Sequence, residues 1–282
     1  MMTPKNSQKI ARILLWSSVI ITVVTLVVIL GYIFYKGANK LSLEFILAEP
    51  SNMGAEGGIF SVIISTIIFI LVTMTIAVPL GVAAAAYLRE YSKTGLVSGF
   101  IRFGIDALAG VPSIVFGLFG FAFFVMLLKP LTGGWSLLSG SLTAACMILP
   151  TIIKTTEEAF RAVPDSYREA SYALGATKWQ TVVRIVFPSA LPGILTGTIL
   201  GIGRAVGETA ALLLTLGGSL FIPARLSDPA NTMSMHLYKV AMEVGSMDMA
   251  FATAAVLIIT VLFINLGANL LVSLQAGLQA RL

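Results

Sequence analysis

The sequence predicts an all-α integral membrane protein with six transmembrane helices, and three observations support this fold class. Of the 282 residues, 57% are hydrophobic and only 11% are charged, whereas a soluble domain carries about 25% charged residues. The mean hydropathy is +0.95, so the chain has too few polar residues to form a surface that faces water on all sides. Six apolar segments have the length of about 20 residues that a helix needs to cross a bilayer.

The six predicted spans are joined by short connections that leave no room for a soluble domain. The first span follows a basic start, but its apolar run exceeds the roughly 7–15 residues of a signal peptide, so we expect a retained helix. Gly110 and Pro112 interrupt the third span, because proline lacks the backbone N–H that a helix uses. In chain order, the predicted spans are about 12–35, 59–88, 99–128, 137–155, 189–217 and 249–276.

The distribution of basic residues predicts the orientation of the chain. With the N-terminus inside, twelve Lys and Arg residues, Lys93 and Arg281 among them, fall in the inner segments and five fall in the outer segments. Cytoplasmic loops carry an excess of Lys and Arg. We therefore expect a multi-pass protein of the cytoplasmic membrane with both termini in the cytoplasm.

Two residue types that often carry chemistry occur once each, and both favour a structural interpretation. His236 falls in the outer segment before the sixth span, within a short helix predicted at about 232–244, and we expect it on the surface. One histidine cannot form a metal site, so no metal is predicted. Cys146 lies in an apolar span and is expected to be a small buried hydrophobic residue. Basic residues without interleaved aromatics argue against a nucleic-acid partner.

The inner segment at about 156–188 is polar and rich in helix-forming residues. Pro164 predicts a stop, after which Asp165 or Ser166 can cap a new helix that ends at Gly175. A second, amphipathic stretch follows and is predicted to end at Pro188. An ordinary interfacial helix anchored by Trp179 is the simpler alternative.

A spaced motif within this segment is more specific than amphipathicity. It resembles the EAA loop of ABC importer permeases, which runs EAA, three residues, Gly, nine residues, Ile, one residue, Leu and Pro. Ser171 replaces the third motif residue here, and Phe187 replaces Leu. The resemblance implies a type I, MetI-like permease fold and a short helix that docks in a cleft of the ATP-binding subunit. The matching positions are Glu169, Ala170, Ser171, Gly175, Ile185 and Pro188.

A wider resemblance covers about residues 20–275 and includes "DALAGVPSIVFGLFG" and "PSALPGILTGTILGIGRAVGETAALLLT". The chain is similar there to the permease subunits of phosphate ABC importers. "GETAALLLT" and "TMSMHLYKVAMEVG" favour one of the two permease subunits of such systems over its sister. The resemblance implies that the sister permease, two ATP-binding cassette subunits and an extracytoplasmic phosphate-binding protein are partners. It also divides the chain into residues 1–58, an N-terminal helix with an outer loop, and the permease domain 59–278.

No phosphate-loop motif of the G-x-x-x-x-G-K-[ST] type occurs in the chain, so ATP binding and hydrolysis are expected of a partner, and no cofactor is predicted. The chain is thus expected to be a non-catalytic subunit. A permease for sulfate or molybdate is the nearest alternative, because one arginine can serve all three oxyanions. A free-standing secondary transporter or channel, and a sensor or scaffold that uses the inner loop without transport, are alternatives of other classes.

Arg204 and Glu208 lie four residues apart inside the fifth predicted span. A charge at bilayer depth is costly and usually faces a bundle interior or a watery path. Spacing of four places both on one helix face, and Gly201, Gly203 and Gly207 around them suggest a closely packed neighbour. Three interpretations remain open: Arg204 contacts phosphate, the two residues form an ion pair that opens during transport, or the pair is purely structural.

Other polar residues are weaker candidates for the pathway. Arg102 and Asp106 repeat the spacing of four near the inner end of the third span, and a structural pair is favoured there. Lys154 either attracts the anion near the exit or anchors the span at the inner surface. Hydroxyl donors that could line the pathway are Ser113, Thr151 and Thr209.

Overall fold

The computed structural model describes residues 4–92 and 95–279; Lys93 and Arg281, which contributed to the orientation prediction, lie outside them. Helices dominate this part of the chain, and a two-stranded antiparallel hairpin of β1 (Pro50–Ser51) and β2 (Glu56–Gly57) accompanies them. The helices are α1 (Pro4–Gly37), α2 (Leu43–Leu47), α3 (Phe60–Ala86), α4 (Leu96–Ala109), α5 (Ser113–Gly120), α6 (Lys129–Thr132), α7 (Leu137–Ala162), α8 (Asp165–Ala173), α9 (Lys178–Thr181), α10 (Phe187–Val206), α11 (Ala210–Thr215), α12 (Met233–Lys239) and α13 (Met247–Gln279).

The apolar helices confirm the predicted class of an all-α membrane protein. Five described helices are long and apolar enough to cross a membrane, and a bent pair brings the number to six if it counts as one span. These spans are Ala11–Gly37, Phe60–Tyr91, the bent pair Leu96–Ala109 with Ser113–Leu127, Leu137–Ala162, Lys178–Val206 and Met247–Gly267.

The third predicted span differs most from the expectation of one helix. It consists of α4 and then α5 with a π-helical turn, Phe121–Leu127, and the two parts meet at 103°. The bend falls at Gly110–Pro112, where Pro112 has an extended backbone with ψ of 142°. Because a residue before proline is also driven away from helical angles, the break predicted from these residues becomes a sharp elbow.

The fifth predicted span, 189–217, has different limits in the structure. The helix continues upstream through Pro188, because a π-helical turn at Val182–Val186 rearranges the hydrogen bonds next to the proline. It ends at Val206, and α11 begins as a separate helix at Ala210. Pro188 therefore does not end the amphipathic stretch as predicted.

Three spans, α3, α7 and α10, pack against one another and form the centre of the bundle. Gly193, Gly197 and Gly201 on α10 lie every four residues along the face that meets α7. At Gly197 a methyl group would collide with the side chain of Thr155, so the two helices approach as closely as glycine allows. By contrast, α1 lies at the edge of the bundle, and none of the residues in its most apolar stretch is buried. It contacts α13, where Tyr32 meets Phe251 edge to face.

The outer segment before α13 contains α12 and a π-helical turn, Val240–Val244, so the short helix predicted there is confirmed. His236, however, is only 1% exposed, and the prediction of a surface position is wrong. Its ring packs closely against Gly54, a glycine with a positive φ in the loop between β1 and β2. Burial, and secondarily the positive charge of Lys239, lower the pKa of His236 from 6.5 to about 4.

Candidate functional site

The segment between α7 and α10 folds as a helix, a glycine bend and a second helix. The helix α8 begins at Asp165 after Pro164, and no side chain caps it, so the predicted cap at Asp165 or Ser166 is wrong. Gly175 has a φ of +80°, which confirms it as the residue that ends this helix. Thr177 and Gln180 then form a capping box that starts α9. We refer to residues 164–186 as the docking loop.

The motif residues of the docking loop divide between surface and interior. Glu169 and Ala170 are exposed, whereas Ser171 is buried and its hydroxyl shares a hydrogen bond of 2.9 Å with Thr181. The serine that departs from the motif therefore joins α8 to α9. Leu174 is 90% exposed beside a cleft of about 540 Å³.

Arg168, which the sequence did not single out, holds α8 in place. Its guanidinium donates hydrogen bonds to Glu90 (2.7 Å) and to the backbone carbonyls of Val163 (2.8 Å) and Phe160 (2.9 Å). It also donates to Asp165 (3.1 Å). Burial by itself lowers the pKa of Arg168, but the hydrogen bond and charge of Glu90 outweigh it and raise that pKa overall. Arg168 thus joins the docking loop to the end of α7 and to the helical turn Tyr87–Tyr91 that follows α3.

Arg204 and Glu208 are not an ion pair in this structure, which corrects the expectation from their spacing. The helix that carries Arg204 ends at Val206, so Glu208 lies in the break before α11 rather than on the next turn. Glu208 is buried; its carboxylate accepts a hydrogen bond from the backbone N–H of Ala211 (3.0 Å). The backbone carbonyl of Glu208 accepts one from Ser234 (2.6 Å). Glu208 therefore stabilises the break.

The Arg204 side chain is half-buried and reaches α7. Its Nη1 lies 3.5 Å from the hydroxyl of Thr151, at the limit of a hydrogen bond. Space is open beside Gly203, where an added methyl group would meet no atom of this chain within 4 Å, so Gly203 does not pack as predicted. Ser113 begins α5 and Thr209 precedes α11; both are half-buried, and among the described residues neither hydroxyl bonds to Arg204.

A charged cleft of about 370 Å³ lies between α4 and α7, at the end of the bundle that carries α8. We call this end the α8 end. Arg102 and Asp106 do not pair with each other as their spacing suggested. Instead, Arg102 pairs with Glu157, and Asp106 pairs with Lys154 at 2.7 Å. Arg102 and Asp106 thus both reach across from α4 to α7, since they lie on consecutive turns of α4 that face α7.

Glu157 is the buried charged residue of this cleft, and the sequence analysis did not single it out. It is buried, pairs with Arg102, and lies 3.7 Å from Arg161. A carboxylate in the last turns of a helix that leads into a polar loop gives no local sign that it is buried. Its partner Arg102 lies 55 residues away in the sequence, so their contact depends on how α4 packs.

A membrane-spanning helical bundle that presents a docking loop with an EAA-type motif defines the class of ABC importer permease subunits. Residues 77–277 match the family described as binding-protein-dependent transport system inner membrane component. The chain belongs to this family and is a membrane-embedded component of an ABC importer.

Curated relatives cover most of the chain. A probable ABC transporter permease protein, YqgI of Bacillus subtilis, is 37% identical over 95% of this chain and 96% of its own length. The phosphate transport system permease protein PstA of Pasteurella multocida is 34% identical over 86% of both chains. PstA 1 of Mycobacterium tuberculosis is 38% identical over 76% of this chain and 70% of its own length.

Solved structures share the fold at lower identity. A chain of the inward-facing MetNI methionine ABC transporter covers 77% of this chain and 94% of its own length, with a TM-score of 0.60 and 19% identity. A chain of a bacterial ABC transporter that imports alginate covers 95% of this chain and 98% of its own length, with a TM-score of 0.66 and 15% identity. The MetI-like architecture expected from the docking loop is therefore confirmed.

Proposed function

We propose that this chain is the PstA-type permease subunit of a phosphate importer and forms half of its translocation pathway. The observation that carries the proposal is the similarity to several phosphate permeases named PstA, at 34–38% identity over most of the chain. Sulfate and molybdate permeases remain the chemical alternative that the experiment must reject. The domain limits 1–58 and 59–278 are retained in the proposal.

The proposed complex places the chain beside a PstC-like sister permease, with two ATP-binding cassette subunits below and an extracytoplasmic phosphate-binding protein above. The ATPase would bind the docking loop, so the α8 end would face the cytoplasm. In that orientation both termini would be cytoplasmic as well. ATP hydrolysis belongs to those partners, and the chain contributes positioning and coupling. Glu169, Ala170, Ser171, Gly175, Ile185 and Pro188 are the proposed coupling residues.

Arg204 is the proposed phosphate contact. The helix that carries Arg204 contains no carboxylate, and Glu208, which lies beyond its end, is occupied at the start of α11. Guanidinium groups match pairs of phosphate oxygens. A charge in an apolar span is costly, and such residues often mark the path of a substrate. Open space beside Gly203 leaves room for an anion near this side chain. Ser113, Thr209 and Lys154 are proposed as further pathway residues.

Uptake of labelled phosphate by vesicles that contain the complete complex tests the proposal. Arg204→Ala should reduce uptake roughly 10- to 100-fold, the loss expected when one hydrogen bond to a charged group is removed. Arg225→Ala, on the exposed outer segment, is the matched control and should retain uptake. Arg204→Ala vesicles that keep wild-type affinity would rule out direct contact.

Competition in the same vesicles decides the substrate. Unlabelled phosphate should suppress the uptake of labelled phosphate far better than sulfate or molybdate does. Equal suppression by sulfate would reject the phosphate assignment, and uptake without the ATPase subunits would reject the importer class.

Gly175→Ala should weaken coupling of ATP hydrolysis to uptake, because a left-handed backbone is strained for alanine.

A further inference from the structure

The charged cleft at the α8 end contains equal numbers of cationic and anionic side chains. Its volume of about 370 Å³ could hold about a dozen water molecules, at roughly 30 Å³ each, and so has room for a small hydrated anion. The charged residues that line it are Arg102, Asp106, Lys154, Glu157, Glu158 and Arg161.

The three cations of the cleft differ in how firmly they are held. Arg102 and Arg161 both pair with Glu157, whose side chain is only 10% exposed. Lys154 pairs with Asp106, and these side chains are 46% and 64% exposed. Arg161 also pairs with Glu158, and these side chains are 53% and 67% exposed, but Arg161 keeps Glu157 as a buried partner. Among the described residues Lys154 has only the exposed Asp106 as a carboxylate partner. Because water screens an exposed pair and offers each charge an alternative partner, Lys154 is the cation of this cleft that exchanges its partner most easily.

The position of Lys154 places it next to Arg204 along the bundle. Arg204 reaches Thr151 on α7, and Lys154 follows Thr151 by three residues on the same helix face. Three residues of helix advance about 4.5 Å, and α7 runs toward the α8 end. An anion that leaves Arg204 in that direction therefore meets Lys154 as the next cation.

We propose that Asp106 is a release residue, whose carboxylate competes with the transported oxyanion for Lys154. This inference rests on the proposed function of the chain. An arriving anion displaces Asp106 from Lys154, and the return of Asp106 then releases the anion toward the α8 end. Without this competition, an oxyanion would be held by an unpaired lysine at the exit, and departure would become slow. Asp106 acts through Lys154 and is a positioning residue.

Product inhibition of the complete complex in vesicles is the test. Labelled phosphate uptake is measured while inorganic phosphate is raised on the side that faces the α8 end, and the inhibition constant is determined. Asp106→Asn should lower this constant by up to about fivefold, the largest change that loss of an exposed ion pair supports. It should also reduce the maximal rate, with the KM on the opposite side unchanged. Asp106→Glu keeps a carboxylate and should stay near wild type, and Lys154→Gln added to Asp106→Asn should reverse the enhanced inhibition.

Arg102→Gln is the matched control for a merely structural role. It removes the neighbouring contact between α4 and α7, but it takes a cation away from Glu157, which still has Arg161, and leaves no cation without its carboxylate. The inhibition constant of this variant should therefore remain at the wild-type value. An equal fall in Arg102→Gln and Asp106→Asn would overturn the inference, and so would a wild-type constant in Asp106→Asn when wild-type vesicles accumulate phosphate. Wild-type vesicles that accumulate no phosphate would instead overturn the proposed function, and this inference with it.

Discussion

Two ion pairs near the α8 end have the same length but different surroundings. The pairs Arg168–Glu90 and Lys154–Asp106 are both 2.7 Å from nitrogen to oxygen. The Arg168 and Glu90 side chains are 10% and 6% exposed, whereas those of Lys154 and Asp106 are 46% and 64% exposed. Arg168 also donates to two backbone carbonyls, while the other pair faces a cleft.

This difference shows that distance alone does not assign a role to an ion pair. Breaking a buried pair leaves a charge without water or a partner, so the Arg168 pair holds its helices in a fixed arrangement. An exposed pair gains little over hydrated charges and can exchange partners. The buried pair therefore fits the coupling that we propose for the docking loop, and the exposed pair fits the anion contact that we propose for Lys154.

The largest expected effect concerns the buried pair, Arg168–Glu90. Arg168→Ala leaves Glu90 buried without a counter-charge, so the free energy of unfolding should fall by about 3–5 kcal/mol. Thermal unfolding of the purified complex in detergent measures this loss. Arg184→Ala, an exposed arginine beyond Gly175, is the control and should change stability little. Equal losses in the two variants would show that burial does not distinguish them.

A buried ionisable group without a counter-charge sharpens the comparison. The pKa of His236 is about 4 in the folded protein against 6.5 ordinarily, because burial and then Lys239 disfavour its charged form. Below pH 6.5 the histidine of the unfolded chain becomes protonated, whereas His236 of the folded chain stays neutral until the pH approaches 4. The free energy of unfolding is therefore highest above pH 6.5 and falls as the pH drops toward 4. The loss should reach about 3 kcal/mol.

Thermal unfolding of wild type and His236→Gln between pH 7.5 and 4.5 measures this effect separately from the titration of carboxylates. The stability of wild type relative to the variant should decrease as the pH falls, because only wild type has the histidine. A relative stability that is independent of pH would show that His236 is protonated without cost in the folded protein.

The smallest expected effect concerns the exposed pair. Asp106→Asn should lower the free energy of unfolding by at most about 1 kcal/mol, since water screens this pair. The same unfolding assay at low and high salt provides the measurement, and added salt should reduce the difference further. A loss as large as that of Arg168→Ala would mean that Asp106 holds α4 against α7, and the comparison between the two pairs would fail.

The sequence predicted the membrane class because hydrophobic length and composition are local properties. The six segments, the docking loop and its stop at Gly175 follow from residues that lie next to one another. Where the prediction of an element failed, a neighbouring feature decided the outcome. The π-helical turn before Pro188 carries the helix through a proline, and the break after Val206 moves Glu208 off the face of Arg204.

Spacing did not predict the partners of Arg204 and Arg102. The rule of four residues assigned Arg204 to Glu208 and Arg102 to Asp106, and the structure contains neither pair. Arg102 and Asp106 pair with residues of α7 instead, because a pair within one helix contributes little, and Glu208 lies beyond the end of the helix that carries Arg204.

By itself, therefore, the sequence determined that this protein is a helical membrane permease with a motif-bearing loop between two spans, because hydrophobic runs, prolines, glycines and motif spacing act locally. Only the tertiary structure decided which charges meet. Arg168 and Glu90 are 78 residues apart, and Arg204 and Thr151 are 53 apart. Contacts over such separations exist only once α3, α4, α7 and α10 have packed, and that packing also decides which charges are buried and which stay exposed to an anion.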